Sequence, residues 1–340
     1  MACERYGGDM AKVIDQFGVD SFKKGWYSET GTISGDIVTS VLIDKILHHE
    51  KSKYQDILIF NCNVFGRILC LDDVIQLSEK DEFVYQEMVS FLPLNSHPKP
   101  QKVLIVGGGD GGVVREVTKH PLVESITLCE IDERVIELSK KYLPFMATGF
   151  ESPKLTVHVG DGAEYMKAHQ GEFDVIITDS PDPKGAAICL FQKPYYESLK
   201  QALKPGGVIA SQGEGFWFDL DIIRELVGVA KSVFPVVDYA TSYVGSFPGG
   251  HLGYVVCSTS PNTNFRNPVH KFSTKMLKEL GLRYYTPDVH RAAFALALFS
   301  GRGIRTEWGA LAMMTTLLWM CSGSIYPVFE IKNAFSTLQK

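Results

Sequence analysis

The sequence predicts an α/β protein with a mostly parallel sheet, preceded by a small β-rich domain. Three observations predict it. Apolar runs such as Val103–Val106 end abruptly in glycine or acid, as buried parallel strands do. Helix candidates alternate with those runs from Gln101 to about Ser260, which is the pattern of βαβ units. From Trp26 to about Leu94 the residues instead favour short strands between turn signals.

Taken in order, residues 1–15 are polar and read as a flexible start without the apolar core of a secretory leader. Residues 16–95 form the β-rich domain. Asp56–Asn61, Gly66–Leu71 and Val74–Ser78 read as strands, with Asn-Val-Phe-Gly and Asp72-Asp73 as turns. Ile37–His48 fits strand or helix, and periodicity does not decide. Glu82–Leu92 reads as a helix leading into a linker, Asn95–Pro100. Residues 96–294 form the second domain. Its strands are Val103–Val106, Ser125–Cys129, Leu155–Val159 and Phe173–Thr178, with helices at Val113–Lys119, Glu133–Tyr142, Ala163–Ala168, Tyr195–Leu203 and Asp219–Val233. Val236–Tyr243 and Leu252–Ser258 suit the antiparallel hairpin that ends a methyltransferase-like Rossmann sheet. Residues 295–340 form an atypical apolar tail. Within it Trp308–Phe329 has no charge and the length of a membrane span, but Ser, Thr, Gly and Pro327 dilute its hydrophobicity. A buried helix, an alternative tail or a dimer cover fits it better than insertion.

Composition excludes some function classes. A hydrophobic content of 45% and charge of 21% are ordinary for a globular chain of 340 residues. The net charge of −5 argues against nucleic acid and suits a cationic substrate. Seven cysteines, an odd number without a CxxC pair, suit reduced thiols in the cytoplasm better than disulfides or zinc.

The stretch Lys102–Gly112, KVLIVGGGDGG, carries the chemistry. Gly107 to Gly109 let backbone approach a ligand where a Cβ would intrude. On the motif alone, a tight strand-to-helix turn fits as well. The acids decide more. Asp110 lies inside the glycines, Glu130 ends the next strand, Asp161 the third, and Asp179 and Asp182 follow the fourth. Ligands bind at that edge of open α/β sheets, and an acid placed like Glu130 takes ribose hydroxyls. A phosphate site wants bare amides and cations. Here the loop holds a carboxylate and lacks the GKS or GKT of a P-loop, so a cationic or hydroxylated ligand is expected. Asp110 would repel the carboxylate of ordinary S-adenosylmethionine and welcome an ammonium.

KVLIVGGGDGGVVREVTKHP, LCEIDERVIELSKKYLP, HVGDGAEYMK and FDVIITDSPDP resemble the polyamine aminopropyltransferase family, the spermidine synthases in particular. So do SKYQDILIF, EFVYQEM, SVFPVVDYA and YYTPDVHRAAF, and the resemblance runs from about Trp26 to Phe294. It implies transfer of an aminopropyl group from decarboxylated S-adenosylmethionine, a co-substrate rather than a resident cofactor, to putrescine. The products are spermidine and methylthioadenosine, and no metal is needed. The attacking amine must be neutral, yet an alkyl ammonium has a pKa of about 10.4. The resemblance makes Asp179 the general base, with Tyr85 beside the amine. Ser180, Asp182, Gln212, Glu214 and Phe247 face the diamine. Gln55, Gln86, Gly107, Asp110, Glu130, Asp161 and Gly162 face the donor. Without the resemblance, Gln55 is a polar strand start, Tyr85 a half-buried aromatic, and Gln212 and Glu214 a polar loop. A homodimer or homotetramer is also implied.

The departures concentrate on the acceptor side. The family's usual Asp-Ser-Ser-Asp is Asp179-Ser180-Pro181-Asp182 here, and its Gly-Pro-Ala is Gly185-Ala186-Ala187. Phe247 stands where a Tyr is usual, and Ile33-Ser34-Gly35 replaces Trp-Pro-Gly. The donor residues all match. A shifted or broadened amine preference is therefore expected. Two other readings stay open: a putrescine N-methyltransferase, which Asp110 disfavours, and a weakly active paralogue serving as a binding or regulatory subunit. Spermine synthase is a nearer alternative within the aminopropyl-transfer class, differing in the length of its acceptor.

Overall fold

The computed structural model describes residues 25–29, 37–182 and 185–304. The expected flexible start, Ile33-Ser34-Gly35 and the apolar stretch Trp308–Phe329 lie outside the described residues. Residues up to Leu296 form one compact unit, and a second begins at Ala297, with a described helix at Leu298–Ile304.

In the first unit, β1 (Trp26–Glu29) pairs antiparallel with β2 (Thr39–Leu42). Then β3 (Lys45–Lys51), β4 (Asp56–Cys62), β5 (Gly66–Leu71) and β6 (Val74–Ser78) form an antiparallel meander in chain order. The ambiguous Ile37–His48 is thus strand. Alternation along β4 explains the packing. Ile57 and Ile59 join Leu69 and Leu77 on one face, against Val135 and Leu138. Phe60 and Cys62 join Ile68, Cys70 and Ile75 on the other, under Tyr27 and Val41 of the first hairpin.

Helix α1 runs Glu82–Ser96, past Pro93 and into the segment expected as a linker. A proline inside a helix costs about 3 kcal/mol. Burial outweighs it, because Met88, Val89, Phe91, Leu92 and Leu94 are all fully buried, and each such side chain contributes about 1.5–3 kcal/mol. Glu87 on this helix is buried and accepts from three consecutive amides: Arg283 at 2.7 Å, Tyr284 at 2.9 Å and Tyr285 at 2.7 Å. Glu87→Ala strands those donors. At about 1–3 kcal/mol per buried unmet group, a loss near 3 kcal/mol is expected in urea unfolding, and a midpoint unchanged from the parent would refute the clamp.

The second sheet follows. Its strands are β7 (Lys102–Gly107), β8 (Ser125–Glu130), β9 (Leu155–Val159), β10 (Phe173–Asp179), β11 (Leu203–Gln212), β12 (Val236–Tyr243) and β13 (His251–Ser258). They lie in the order β12-β13-β11-β10-β7-β8-β9. All neighbours pair in parallel except β13, which is antiparallel to both β11 and β12. The connecting helices are α2 (Gly112–Lys119), α3 (Glu133–Tyr142), α4 (Gly162–Ala168), α5 (Lys193–Ala202) and α6 (Leu220–Val233). Helix α5 starts two residues before its expected place because Pro194 fits a first turn. The strand order reverses between β7 and β10, where a crevice for ligand opens.

Candidate active site

The site grows from the end of β7. Gly107, Gly108 and Gly111 have φ of 80°, 74° and 87°, a left-handed conformation that glycine adopts without strain. A Cβ on Gly107 would lie 1.9 Å from the carbonyl oxygen of Asp179, and the Gly108 amide donates to that oxygen at 3.1 Å. The glycine loop therefore folds directly over the end of β10. A Cβ on Gly109 would meet Glu130 Oε2 at 2.9 Å, and the Gly109 amide donates to that atom at 3.0 Å.

Glu130 also accepts from the Asp132 amide, at 2.8 Å through Oε1. Burial pushes its carboxyl up to about 7 despite these bonds. Asp110 Oδ1 accepts from the Gly112 amide at 2.7 Å and from Gln86 Nε2 at 3.3 Å. Burial raises its pKa too. Gln55 Nε2 donates to Asp132 Oδ2 at 3.0 Å, and Ser52 donates to the same oxygen at 2.7 Å. Asp132 thus ties the Ser52–Gln55 turn to the end of β8, while its other oxygen caps α3 through the Arg134 amide. Sequence reasoning missed Asp132, although an Asp before ERVIEL carries the N-cap signature. Asp161 caps α4 through the amides of Ala163 and Glu164, and Gly162 packs against Val106 so closely that a Cβ would lie 2.6 Å from it.

Tyr85 donates to Asp179 Oδ1 at 2.7 Å, and Asp179 Oδ2 is buried without a partner. Burial, then the nearby Asp110, raises the Asp179 carboxyl well above the ordinary range, and the Tyr85 bond pulls it down. The Tyr85 ring stacks on Tyr254 with centroids 5.8 Å apart. Ser180 follows, half-buried.

Beside this pair lies an open cleft of about 560 Å³ lined by Asp182, Gln212, Glu214 and Phe247, together with Glu29 and Asp219. Gln212 Oε1 is buried without a partner. Glu214 has φ 55°, a left-handed backbone at a non-glycine residue, which costs of order 1–3 kcal/mol and concentrates at functional sites. Glu29 and Asp219 were not found from the sequence. Glu29 comes from β1, with no spacing to signal it, and Asp219 was read only as the first residue of the helix expected at Asp219–Val233. Among the described residues no group of His, Cys, Asp or Glu is arranged to hold a metal ion, and no helix is long and apolar enough to cross a membrane.

Read across the sheet, the strand ends carry Asp161, Glu130, Asp110, Asp179 and Gln212 in neighbouring order. Two family models match: a spermine/spermidine synthase domain over residues 82–267 and a spermidine synthase tetramerisation domain over 25–79. The chain belongs to the spermine/spermidine synthase family. It is 49% identical to a spermidine synthase of Dictyostelium discoideum, over 84% of this chain and 99% of that one. It is 46% identical to a spermidine synthase of Schizosaccharomyces pombe, over 82% and 93%. A crystal structure of a spermidine synthase in complex with the transition-state analogue AdoDATO superposes with a TM-score of 0.76 at 34% identity, over 84% of this chain and 96% of that one.

Among the described departures, Phe247 lines the cleft and Pro181 precedes Asp182, which lines it. Phe247 packs with Val84, Val244 and Leu252 beside Tyr85, so its ring is kept where a hydroxyl is lost. Its loop is anchored by Ser246, whose amide and hydroxyl donate to Asp81 at 2.7 and 2.9 Å. Pro181 stands exposed between Ser180 and Asp182.

Proposed function

We propose that the protein transfers the aminopropyl group of decarboxylated S-adenosylmethionine to putrescine, giving spermidine and methylthioadenosine. One observation carries the reading: a buried carboxylate oxygen without a partner, Asp179 Oδ2, at the junction between a glycine loop lined with acids and an acidic cleft. Family membership supports it.

Asp110 holds the ammonium of the donor and Glu130 the ribose. Gln55, Gln86, Gly107, Asp161 and Gly162 frame the nucleoside. Asp182, Gln212 and Glu214 hold the diamine, with Ser180 and Phe247 along its path. The acceptor nitrogen gives its proton to Asp179 Oδ2 and its lone pair to the carbon beside the sulfonium. The carbon–sulfur bond breaks and the sulfur leaves as a neutral thioether. Holding nitrogen, carbon and sulfur in line supplies much of the acceleration. Neither a metal nor a resident cofactor enters these steps. Dimeric or tetrameric assembly and a cytoplasmic location fit the tetramerisation-domain match and the reduced cysteines.

The test is product analysis with purified protein. Decarboxylated donor plus putrescine gives spermidine and methylthioadenosine in equal amounts, whereas N-methylputrescine formed from intact S-adenosylmethionine overturns the reading. The pH profile gives a second check. The raised Asp179 places the acid limb of kcat/KM well above an ordinary carboxylate. Because the Tyr85 bond lowers that pKa, Tyr85→Phe moves the limb to higher pH. A limb that stays put separates Asp179 from the rate.

A further inference from the structure

Arg115 stands in the first turn of α2 and joins the two helices that flank the site. Its guanidinium meets Glu82 of α1 as a fork, Nη1 to Oε1 at 3.0 Å and Nη2 to Oε2 at 2.8 Å. Nε donates to Glu116 Oε1 at 2.7 Å, and Nη1 also donates to the Phe145 carbonyl at 3.2 Å, in the turn after α3. Lys119 holds Glu116 from the other side, Nζ to Oε2 at 2.7 Å. Two acids and two bases thus balance, with both acid side chains almost wholly buried. A guanidinium matched to a carboxylate fixes direction as well as distance, which the point charge of an ammonium does not.

What the fork fixes is the start of α1. Asp81 occupies the N-cap position but makes no side-chain bond to the helix. Its carboxylate accepts instead from the Ser78 hydroxyl at 2.6 Å and from Ser246. An uncapped first turn leaves amide donors unmet and frays unless another contact holds it. Tyr85 and Gln86 follow Glu82 by three and four residues, which makes them its neighbours on the helix surface. Tyr85 reaches Asp179, and Gln86 reaches Asp110. The two helices touch at this level: a Cβ on Gly112 would lie 2.4 Å from Gln86 Cδ. A shift of α1 against α2 therefore has no slack and disturbs both contacts together.

We propose that Arg115 is a positioning residue for the reaction, its fork on Glu82 holding α1 so that the Tyr85 hydroxyl stays on Asp179 Oδ1 and the Gln86 amide on Asp110. This rests on the aminopropyl-transfer reading and deepens it. Arg115 moves no proton itself and acts through Tyr85. The Tyr85 bond pulls the Asp179 carboxyl down, against burial and against the charges of Asp110 and Glu130. The charge of Arg115, with the Gly112 amide, likewise opposes the burial that raises Asp110.

The experiment follows kcat/KM for putrescine across pH, at saturating donor, in the parent, Arg115→Lys, Tyr85→Phe and the double variant. Lysine keeps the charge, so both acids retain a cation and the fold survives, but it cannot grip Glu82 as a fork. Arg115→Lys is expected to lose at least tenfold and to move the acid limb to higher pH, the direction expected of Tyr85→Phe. In the Tyr85→Phe background the same substitution costs less than threefold and leaves the limb in place. A purely structural ion pair would lower the urea midpoint without moving the limb. A limb that Arg115→Lys leaves unmoved overturns the proposal, as do equal losses in the two backgrounds. Calorimetry of methylthioadenosine is read on the same proteins, and Arg115→Lys is expected to weaken it at least threefold through Gln86. A parent that transfers to no amine overturns the transfer reading alone, and an affinity that Arg115→Lys then leaves unchanged overturns the positioning role. A parent that binds no methylthioadenosine overturns both.

Discussion

Asp179→Asn lowers turnover of putrescine about 10²–10⁴-fold, the span that general bases contribute. The amide keeps the size of the side chain and its bond to Tyr85, so the loop packing survives. What it loses is the proton acceptor at Oδ2, the atom that has no partner in the protein. Donor affinity, measured by calorimetry, is expected to change far less than turnover. Release of methylthioadenosine in a single turnover reads the chemical step directly. A variant that keeps a tenth or more of the parental rate would remove Asp179 from the role of base.

Gly107→Ala has the largest expected effect on the fold of the site. Its φ of 80° costs an L-residue about 1–2 kcal/mol. The added methyl would also lie 1.9 Å from a backbone oxygen, which no rotamer change relieves. Overpacking of this kind costs about 1–3 kcal/mol more. Together these reach about 2–5 kcal/mol, a large share of the roughly 5–15 kcal/mol that holds a domain together. The strand end that must move carries Asp179, and misplacement by about 1 Å can cost 10²-fold in rate. Gly206→Ala is the control. Gly206 has φ 84° but nothing within 4 Å of its added methyl, so only the strain should register. Equal losses in the two variants, by urea unfolding, would show that the contact with Asp179 is unimportant.

The glycine-loop half of the site was legible in the sequence because it is local. Gly107, Asp110 and Glu130 sit at strand ends, and a strand end can be read from an apolar run that stops. Most strands were legible for the same reason, since β7, β8, β10 and β11 of the large sheet are parallel and mostly buried, although β9 is largely exposed. The helix ends were less so. Helix α1 continues through Pro93 because of what packs around it, which no local propensity records. The cleft was the least legible part. Glu29 reaches it from a hairpin far away in the chain, where its Oε1 accepts from the Ile75 amide at 2.8 Å. Asp132 was hidden differently. Its capping role is written in the sequence, but its grip on Gln55 and Ser52 depends on how β3 and β4 lie against α3.

Burial raises the proton affinity of Asp110, Glu130 and Asp179, and nearby Asp110 adds to it at Glu130 and Asp179. In the free protein that crowding is a burden on the native state, and cations relieve it. A bound ligand at 100 times its dissociation constant adds about 2.7 kcal/mol to the folded form. A donor bound at these acids would therefore also support the fold. When it is scarce, more of the chain would be open to proteolysis at any moment. Abundance would then follow substrate with no dedicated sensor, through these same buried acids.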